Sequence, residues 1–235
     1  VVSRIEGAVP ALKSDMLLVD SRSGETLAVV NSDWITAMRT GAVAALAINT
    51  LRCSTARVYS FVGLGVIGHS CLRCLIESNA GEPITIRLMA YKNHADRTAA
   101  MIADKYPWVN VEIVDSMEAL VDGADVVVSC ITVANGILVD NLDLFKPGVL
   151  VVPVHTRGFQ NCDTTFDRVF ADDTDHVRGF RYFNEFRRFA ELADILSGSV
   201  AGRESDTERI LSYNIGIGLH DVLFASKILE MLGDR

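Results

Sequence analysis

No apolar run in this 235-residue chain approaches the roughly 20 residues needed to cross a bilayer. The opening stretch, VVSRIEGAVP, has neither the apolar core nor the small-residue cleavage site of a secretory signal. It reads as the end of a strand, and further sequence upstream is expected. Basic residues are in deficit: 22 Lys and Arg stand against 30 Asp and Glu, a formal charge of −8. Nucleic acid and anionic membrane both require a basic face, so neither is expected as the main partner. A local basic pocket for a phosphate stays allowed. Disulfide-framework spacing is missing too. The five cysteines, Cys53, Cys71, Cys74, Cys130 and Cys162, are odd in number and fit a reducing cytoplasm. Internal repeats and low-complexity tracts are not found.

What is present is an ordinary globular composition, 49% hydrophobic and 22% charged, long enough for one large domain or two small ones. DMLLVDSRSGETLAVVN reads as a hairpin around a Ser-Gly turn. Asp33 stands where an N-cap belongs, before the Ala-rich WITAMRTGAVAALAINTL, which predicts a buried helix. From Arg57 onward strands alternate with helices: RVYSFVG, VIGHSCLRCLIES, ITIRLMAY, HADRTAAMIADKY (ended by Pro107), NVEIVD, SMEALVDG, DVVVSC and GVLVVPV. Short β-branched runs separated by helices predict a parallel sheet covered on both faces. After about residue 185 the alternation stops, and a last helix is expected near GLHDVLFASKILEML. The expected fold is therefore α/β. A Rossmann-type doubly wound sheet over 53–185 is joined by a second, discontinuous domain built from 1–52 and 186–235.

The stretch FVGLGVIGHS gives Gly63, Gly65 and Gly68 the context that a dinucleotide motif needs, directly after a strand and opening a helix. Gly63 permits the tight turn, Gly65 admits a pyrophosphate, and Gly68 lets helix and strand pack closely. Val66 and Ile67 complete the loop, and the helix N-terminus adds partial positive charge. The second strand of such a fold normally ends in an acid that binds the ribose hydroxyls. Here it ends AYKNHADR. Lys92 takes the acidic place, followed by Asn93, His94 and Arg97, which favours NADP(H) over NAD(H) because a cation can pair with a 2′-phosphate. A solvated helix start that accepts NAD(H) is the alternative.

Other features call for plain explanations. Cys71 and Cys74 in CLRC lack a second ligand pair for zinc and read as packed core thiols. His69 reads as a surface histidine rather than a phosphate ligand. RGFRYFNEFRRF interleaves basic and aromatic residues, which can mark nucleic-acid binding. In an acidic chain it reads instead as an amphipathic element bridging two domains.

Three further segments, ITAMRTGAVAALA, ADVVVSCIT and NIGIGLHDVLFA, together with the glycine loop, resemble the ornithine cyclodeaminase/mu-crystallin family in the family's own order, over essentially the whole chain. The tail AGRESDTERIL most resembles the branch that handles amino-acid conjugates. The resemblance implies a Rossmann domain, a discontinuous substrate domain through which the protein dimerises, and hydride transfer between a nicotinamide and the α-carbon of an amino or imino acid. By matching motif, Arg39 would bind the substrate carboxylate, a task suited to a guanidinium fork, and Thr40 would touch the cofactor phosphates. Ser129, Cys130, Ile131 and Thr132 match the loop against the two riboses. Val154 and His155 would lie beneath the nicotinamide, with His155 either moving a proton or making a structural hydrogen bond. Asn214 and Ile215 match the pair that lines the carboxamide and the substrate. Asp221 is expected to cap its helix or pair locally.

Two departures from the family pattern stand out. Where cyclodeaminases carry an aspartate for the amine chemistry, this chain has Arg157, which cannot act as a base but can hold a second carboxylate. Asp163 stands where the family usually has Glu and could partly compensate. The family's N-terminal segment supplies an Arg and a Lys to the pocket, and this chain is expected to begin just after that Lys. Three readings follow: an NAD(P)-dependent oxidoreductase at a C–N bond (ketimine reductase, or dehydrogenase of amino acids or their conjugates), a cyclodeaminase-type lyase, and an NADP(H)-binding protein without turnover. No metal is expected.

Overall fold

Alternation on either side of the Ser-Gly turn produces the hairpin. In the computed structural model, which describes residues 2–5, 7 and 12–233, strands β1 (Val2–Arg4), β2 (Leu12–Val19) and β3 (Thr26–Asn31) form an antiparallel sheet in that order. Asp20 closes the β2–β3 turn by accepting the backbone N–H groups of Arg22 and Ser23, each at 2.8 Å. Helix α1 (Asp33–Leu51) follows. Ser32, not Asp33, holds its N-cap position. The Asp33 carboxylate is drawn sideways onto the Ser14 N–H at 2.5 Å and the Lys13 ammonium at 3.2 Å, which ties the helix start to β2.

The chain then alternates: β4 (Val58–Val62), α2 (Val66–Ser78), β5 (Ile84–Met89), α3 (His94–Lys105), β6 (Val109–Val114), α4 (Met117–Val121), β7 (Val126–Ser129), β8 (Leu150–Pro153), β9 (Arg168–Ala171), α5 (Thr174–Val177), β10 (Ala190–Glu191), α6 (Leu192–Leu196), β11 (Ile210–Tyr213) and α7 (Gly218–Gly233). Strands β4 to β11 form one eight-stranded sheet, ordered β10-β9-β11-β8-β7-β4-β5-β6, with every pair parallel. The order reverses between β4 and β7, the crevice where this architecture receives ligands.

Period-two alternation serves both faces of the sheet. Val126, Val128, Leu150 and Val152 face a core with Leu72, Leu75 and Ile48, whereas Val127, Val151 and Leu211 face one with Phe145, Phe166 and Val169. Each such side chain contributes about 1.5–3 kcal/mol by leaving water. Truncating Phe61, which is fully buried, would cost about 3–5 kcal/mol. Helix α1 packs closely on α2 because position 41 has no side chain: a Cβ there would stand 2.5 Å from the Ser70 carbonyl carbon.

Two local expectations need correction. The sheet does not end near residue 185, since β10 and β11 both join it. Segment 178–189 is not a regular amphipathic element. It contains only a short 3-10 turn, and its Phe183, Phe186 and Phe189 pack edge-on or tilted against one another over the second core. Among the described residues, no helix is long and apolar enough to cross a membrane.

Candidate active site

Everything of chemical interest gathers where the parallel strands end. After β4, Gly63 turns with φ +88°, and a Cβ there would meet the Cys130 carbonyl carbon at 2.5 Å. A Cβ at Gly68 would collide with the Gly63 carbonyl oxygen, so helix and strand touch without side chains between them. Position 65 is the opposite case: nothing lies within 4 Å of a Cβ built there. A tight turn, a close helix and an open space at the middle glycine fit a diphosphate seated on the amides of α2. Val66 is exposed at the first turn of α2, and Ile67 packs toward the core. His69 is not free for a phosphate, because its ring nitrogens engage the Gly65 carbonyl and the Thr98 hydroxyl, both at 2.9 Å.

The end of β5 leans on this loop. His94 Nδ1 lies 3.3 Å from the Leu64 carbonyl, and Asn93 occupies the α3 N-cap position, its carbonyl accepting the Arg97 N–H. Lys92 has φ +51°, an uncommon conformation for a residue with a side chain. Its ammonium lies 5.3 Å from the centre of the Tyr91 ring.

After β7, Ser129 is fully buried, and its hydroxyl lies 2.6 Å from His155 Nε2. The Arg157 N–H donates to His155 Nδ1 at 3.3 Å, which assigns the remaining proton to Nε2 and makes that nitrogen the donor to Ser129. Burial pushes the His155 pKa down to about 4. The ring is thus neutral and occupied at both nitrogens, a clamp between the ends of β7 and β8. Val154 extends the same join by donating its N–H to the Ser129 carbonyl at 2.8 Å. Ile131 and Thr132 line a cavity of about 270 Å³ with His155, Thr156 and Arg157. Beneath the loop the Cys130 and Cys71 sulfurs stand 3.8 Å apart, and the contact with Cys130, together with burial, raises the Cys71 pKa.

Arg39 comes to the same edge from α1. It is 8% exposed, and its Nε lies 3.2 Å from Asp221 Oδ1 on α7. Asp221 therefore neither caps its own helix nor pairs locally. Thr36 also donates to Asp221 Oδ1, at 3.3 Å, and approaches the Ser14 hydroxyl at 3.0 Å. The guanidinium lies against Gly216, just past β11, in the space a side chain there would need. Gly216 has φ +96°, and its N–H donates to the Asp172 carboxylate after β9. Arg39 Nη1 is buried without a partner. A buried guanidinium nitrogen is costly to leave bare, and a carboxylate would satisfy it.

Asn214 is buried, with its amide N–H groups on Ser212 and its Oδ1 unpartnered, as an approaching carboxamide would require. Ile215 packs toward the second core. The Thr40 hydroxyl donates to the Thr36 carbonyl at 2.7 Å, leaving only its lone pairs for another group. Asp163 does not reach the site. It is fully buried, accepts the Tyr213 hydroxyl at 2.6 Å, and burial raises its pKa to about 6. Its sealed position removes it as a stand-in for the family acid.

Sequence reasoning missed Asp172, His220 and Arg181. His220 Nδ1 is buried without a partner, and burial together with the nearby Arg39 lowers its pKa. Asp172 lies in a segment without a motif of its own and is brought toward Arg39 by the sheet order, whereas His220 stands inside the NIGIGLHDVLFA segment, next to Asp221, and only its packing against Arg39 marks it out. Among the described residues, no group of His, Cys, Asp and Glu could hold a metal ion.

Comparison with known proteins agrees with this geometry. The chain is 29% identical to the nodulation efficiency protein NfeD of Rhizobium meliloti over 95% of its own length and 70% of that protein. It is 25% identical to the mouse ketimine reductase mu-crystallin over 95% of the chain and 71% of that protein. The Δ1-pyrroline-2-carboxylate reductase of Thermococcus litoralis, solved with NADH and L-proline, superposes with a TM-score of 0.81 at 21% identity, covering 94% of this chain and 72% of that one. The family profile matches residues 3–235, and the chain belongs to the ornithine cyclodeaminase/mu-crystallin family.

Proposed function

We propose that this protein is a nicotinamide-dependent oxidoreductase acting at the C–N bond of a small amino or imino acid. The observation that carries the reading is the bare, buried Nη1 of Arg39, held past the end of β11 in the same parallel sheet whose strands β4 and β7 end at the glycine cradle. Bound nicotinamide supplies a hydride donor or acceptor. In the reducing direction the α-carbon of an imino acid gains a hydride and its nitrogen a proton, and the C=N π bond is lost as the nicotinamide is oxidised. The chain's own work is binding and orientation. Arg39 fixes the α-carboxylate, Asp221 holds Arg39, Asn214 offers Oδ1 to the carboxamide, and the Ser129–His155 clamp keeps the ends of β7 and β8 in register. Thr40 and the loop 129–132 complete the nucleotide pocket.

Lys92 and Arg97, neither with an ion-pair partner among the described residues, support NADP(H) over NAD(H). The hairpin and α1 with α7 form the substrate and dimerisation unit, and the nucleotide unit runs on through β11. Leu17, Val29, Leu219 and Leu223, all more than half exposed on β2, β3 and α7, support a homodimer formed through that unit. Cysteine usage supports a cytoplasmic setting. The lyase reading needs an acid where Arg157 stands, and buried Asp163 does not supply one.

Incubation of the protein with NADPH and a panel of cyclic and linear ketimines, followed at the nicotinamide absorbance, tests the reading. Steady oxidation is expected. Ammonia release from ornithine without net absorbance change would establish the lyase instead, and nucleotide binding without turnover of any substrate would establish a binding protein.

A further inference from the structure

Beyond the nucleotide loop the site continues into a second cavity, of about 650 Å³, which shares Thr156 and Arg157 with the first. It opens among segments that follow the C-terminal ends of β7, β8 and β9, on the edge of the sheet that also carries Arg39. Arg157 and Arg181 line it from opposite segments of the chain, and no acidic residue lines either cavity. In a chain of formal charge −8, an acid-free hollow with two guanidinium groups is not the average surface.

Neither arginine has an ion-pair partner among the described residues. The Arg157 backbone N–H goes to His155, which leaves its guanidinium unspent. Arg181 lies 5.1 Å from the centre of the Tyr182 ring, a contact that positions a guanidinium without neutralising it. Both side-chain amides of the cavity are already engaged. Gln160 bonds the Gly158 N–H and the Thr156 carbonyl, and Asn161 Nδ2 bonds the Val139 carbonyl. The cationic donors lining the cavity are the two arginines, flanked by the Thr156, Thr164 and Tyr182 hydroxyls, and their positive charge selects for an anion.

Strands β8 and β11 are neighbours in the sheet. Gly216, against which Arg39 lies, and the loop that carries Arg157 leave the same ends of these two adjacent strands, so a substrate whose α-carboxylate meets Arg39 extends toward the Arg157 loop. We propose that the substrate of this site is dicarboxylic: an amino or imino acid with a second carboxylate remote from the α-carbon, received by Arg157 and Arg181. This rests on the oxidoreductase reading and names its substrate class.

The test compares matched pairs that differ only in the distal acid. With ammonia present to form the imine, 2-oxoglutarate is set against 2-oxovalerate, and oxaloacetate against 2-oxobutyrate, in full-length protein with NADPH and with NADH. At least one dicarboxylate is expected to exceed its partner in kcat/KM by about tenfold or more, the scale of a charge-assisted contact. Arg157→Gln and Arg181→Gln should each shrink that ratio through KM, and Arg157→Lys should restore part of it. A ratio near one in the unaltered protein, or a ratio that neither substitution moves, overturns the proposal while leaving the oxidoreductase in place. Calorimetry with glutarate against valerate, in the presence of the oxidised nucleotide, separates the two ideas. Preferential glutarate binding that is lost in Arg157→Gln, with no turnover of any substrate, would uphold the anion subsite and defeat the oxidoreductase reading. Equal binding of the two acids would defeat the subsite.

Discussion

Arg39 and Asp221 stand 182 positions apart in the chain and meet at 3.2 Å, joining the helix before the nucleotide unit to the helix after it. The pair turns two loosely related segments into one wall of the site. It also leaves the buried Nη1 of the guanidinium without a partner. A charge held on one side and free on the other is a ready seat for a carboxylate.

Loosening that wall should cost binding before it costs folding. Asp221→Asn keeps a hydrogen-bond acceptor but removes the charge, and KM for the amino or imino acid is expected to rise about tenfold, the worth of one charge-assisted contact. Arg39→Lys, which loses the fork, should lower kcat/KM about a hundredfold. Steady-state kinetics beside a thermal melt reads both. A melt that collapses without a change in KM would show the pair to be scaffolding only.

The glycine turn offers two substitutions with opposite signatures. At Gly65 there is room for a side chain in the protein alone, so Gly65→Val should fold normally yet weaken nucleotide binding about a hundredfold by occupying the diphosphate's place. Gly63→Ala forces a Cβ at positive φ against the Cys130 backbone and should lower the melting temperature outright. Fluorescence titration and calorimetry distinguish them.

Lys92 is the lever for cofactor choice. Lys92→Asp restores the acid expected beside ribose hydroxyls, and aspartate tolerates the left-handed backbone found there. The ratio of kcat/KM for NADPH to that for NADH should fall about a hundredfold or more, since attraction becomes repulsion. An unchanged ratio would mean that Lys92 only decorates the start of α3.

Two buried groups give stability opposite slopes with pH. His155 titrates near 4 when folded, against an ordinary 6.5. Between those values the unfolded chain holds the proton and the native one does not, so stability falls as pH drops through that window. His155→Asn should flatten this slope and leave the activity profile near neutrality without a shifted inflection, because the native ring is already neutral there.

Asp163 runs the other way. Its folded pKa is raised to about 6 from 3.8, so ionisation costs the native state more than the unfolded one at neutral pH. Asp163→Asn retains an acceptor for the Tyr213 hydroxyl and should stabilise the fold by on the order of 1–2 kcal/mol at pH 8. That gain should shrink as pH falls from 6 toward 4. Melting curves of both variants across pH 4–8 check the two signs together.

The parts of this structure carried by local pattern were readable from sequence. Gly63, Gly65 and Gly68 sit at the turn their spacing implied, and the β-branched runs became parallel strands, the central ones buried on both faces. What escaped was set by distance along the chain. Strand β9 opens on Arg168, whose buried guanidinium bonds the Ala201 and Gly202 carbonyls, so a charged residue concealed a strand. Strand β11 is only four residues long and follows a polar stretch, yet it lies between β8 and β9. Asp221 looked like a capping residue because its true partner lies on α1, beyond the reach of any local pattern.

The empty side of residue 216 has one more implication. Arg39 occupies the volume that any other residue there would claim, so the anchor for the acid exists only while that position stays bare. A library randomised at this codon and selected for turnover should return glycine almost alone. Neighbouring Ile215, which points into the core instead, should accept other aliphatics of similar bulk.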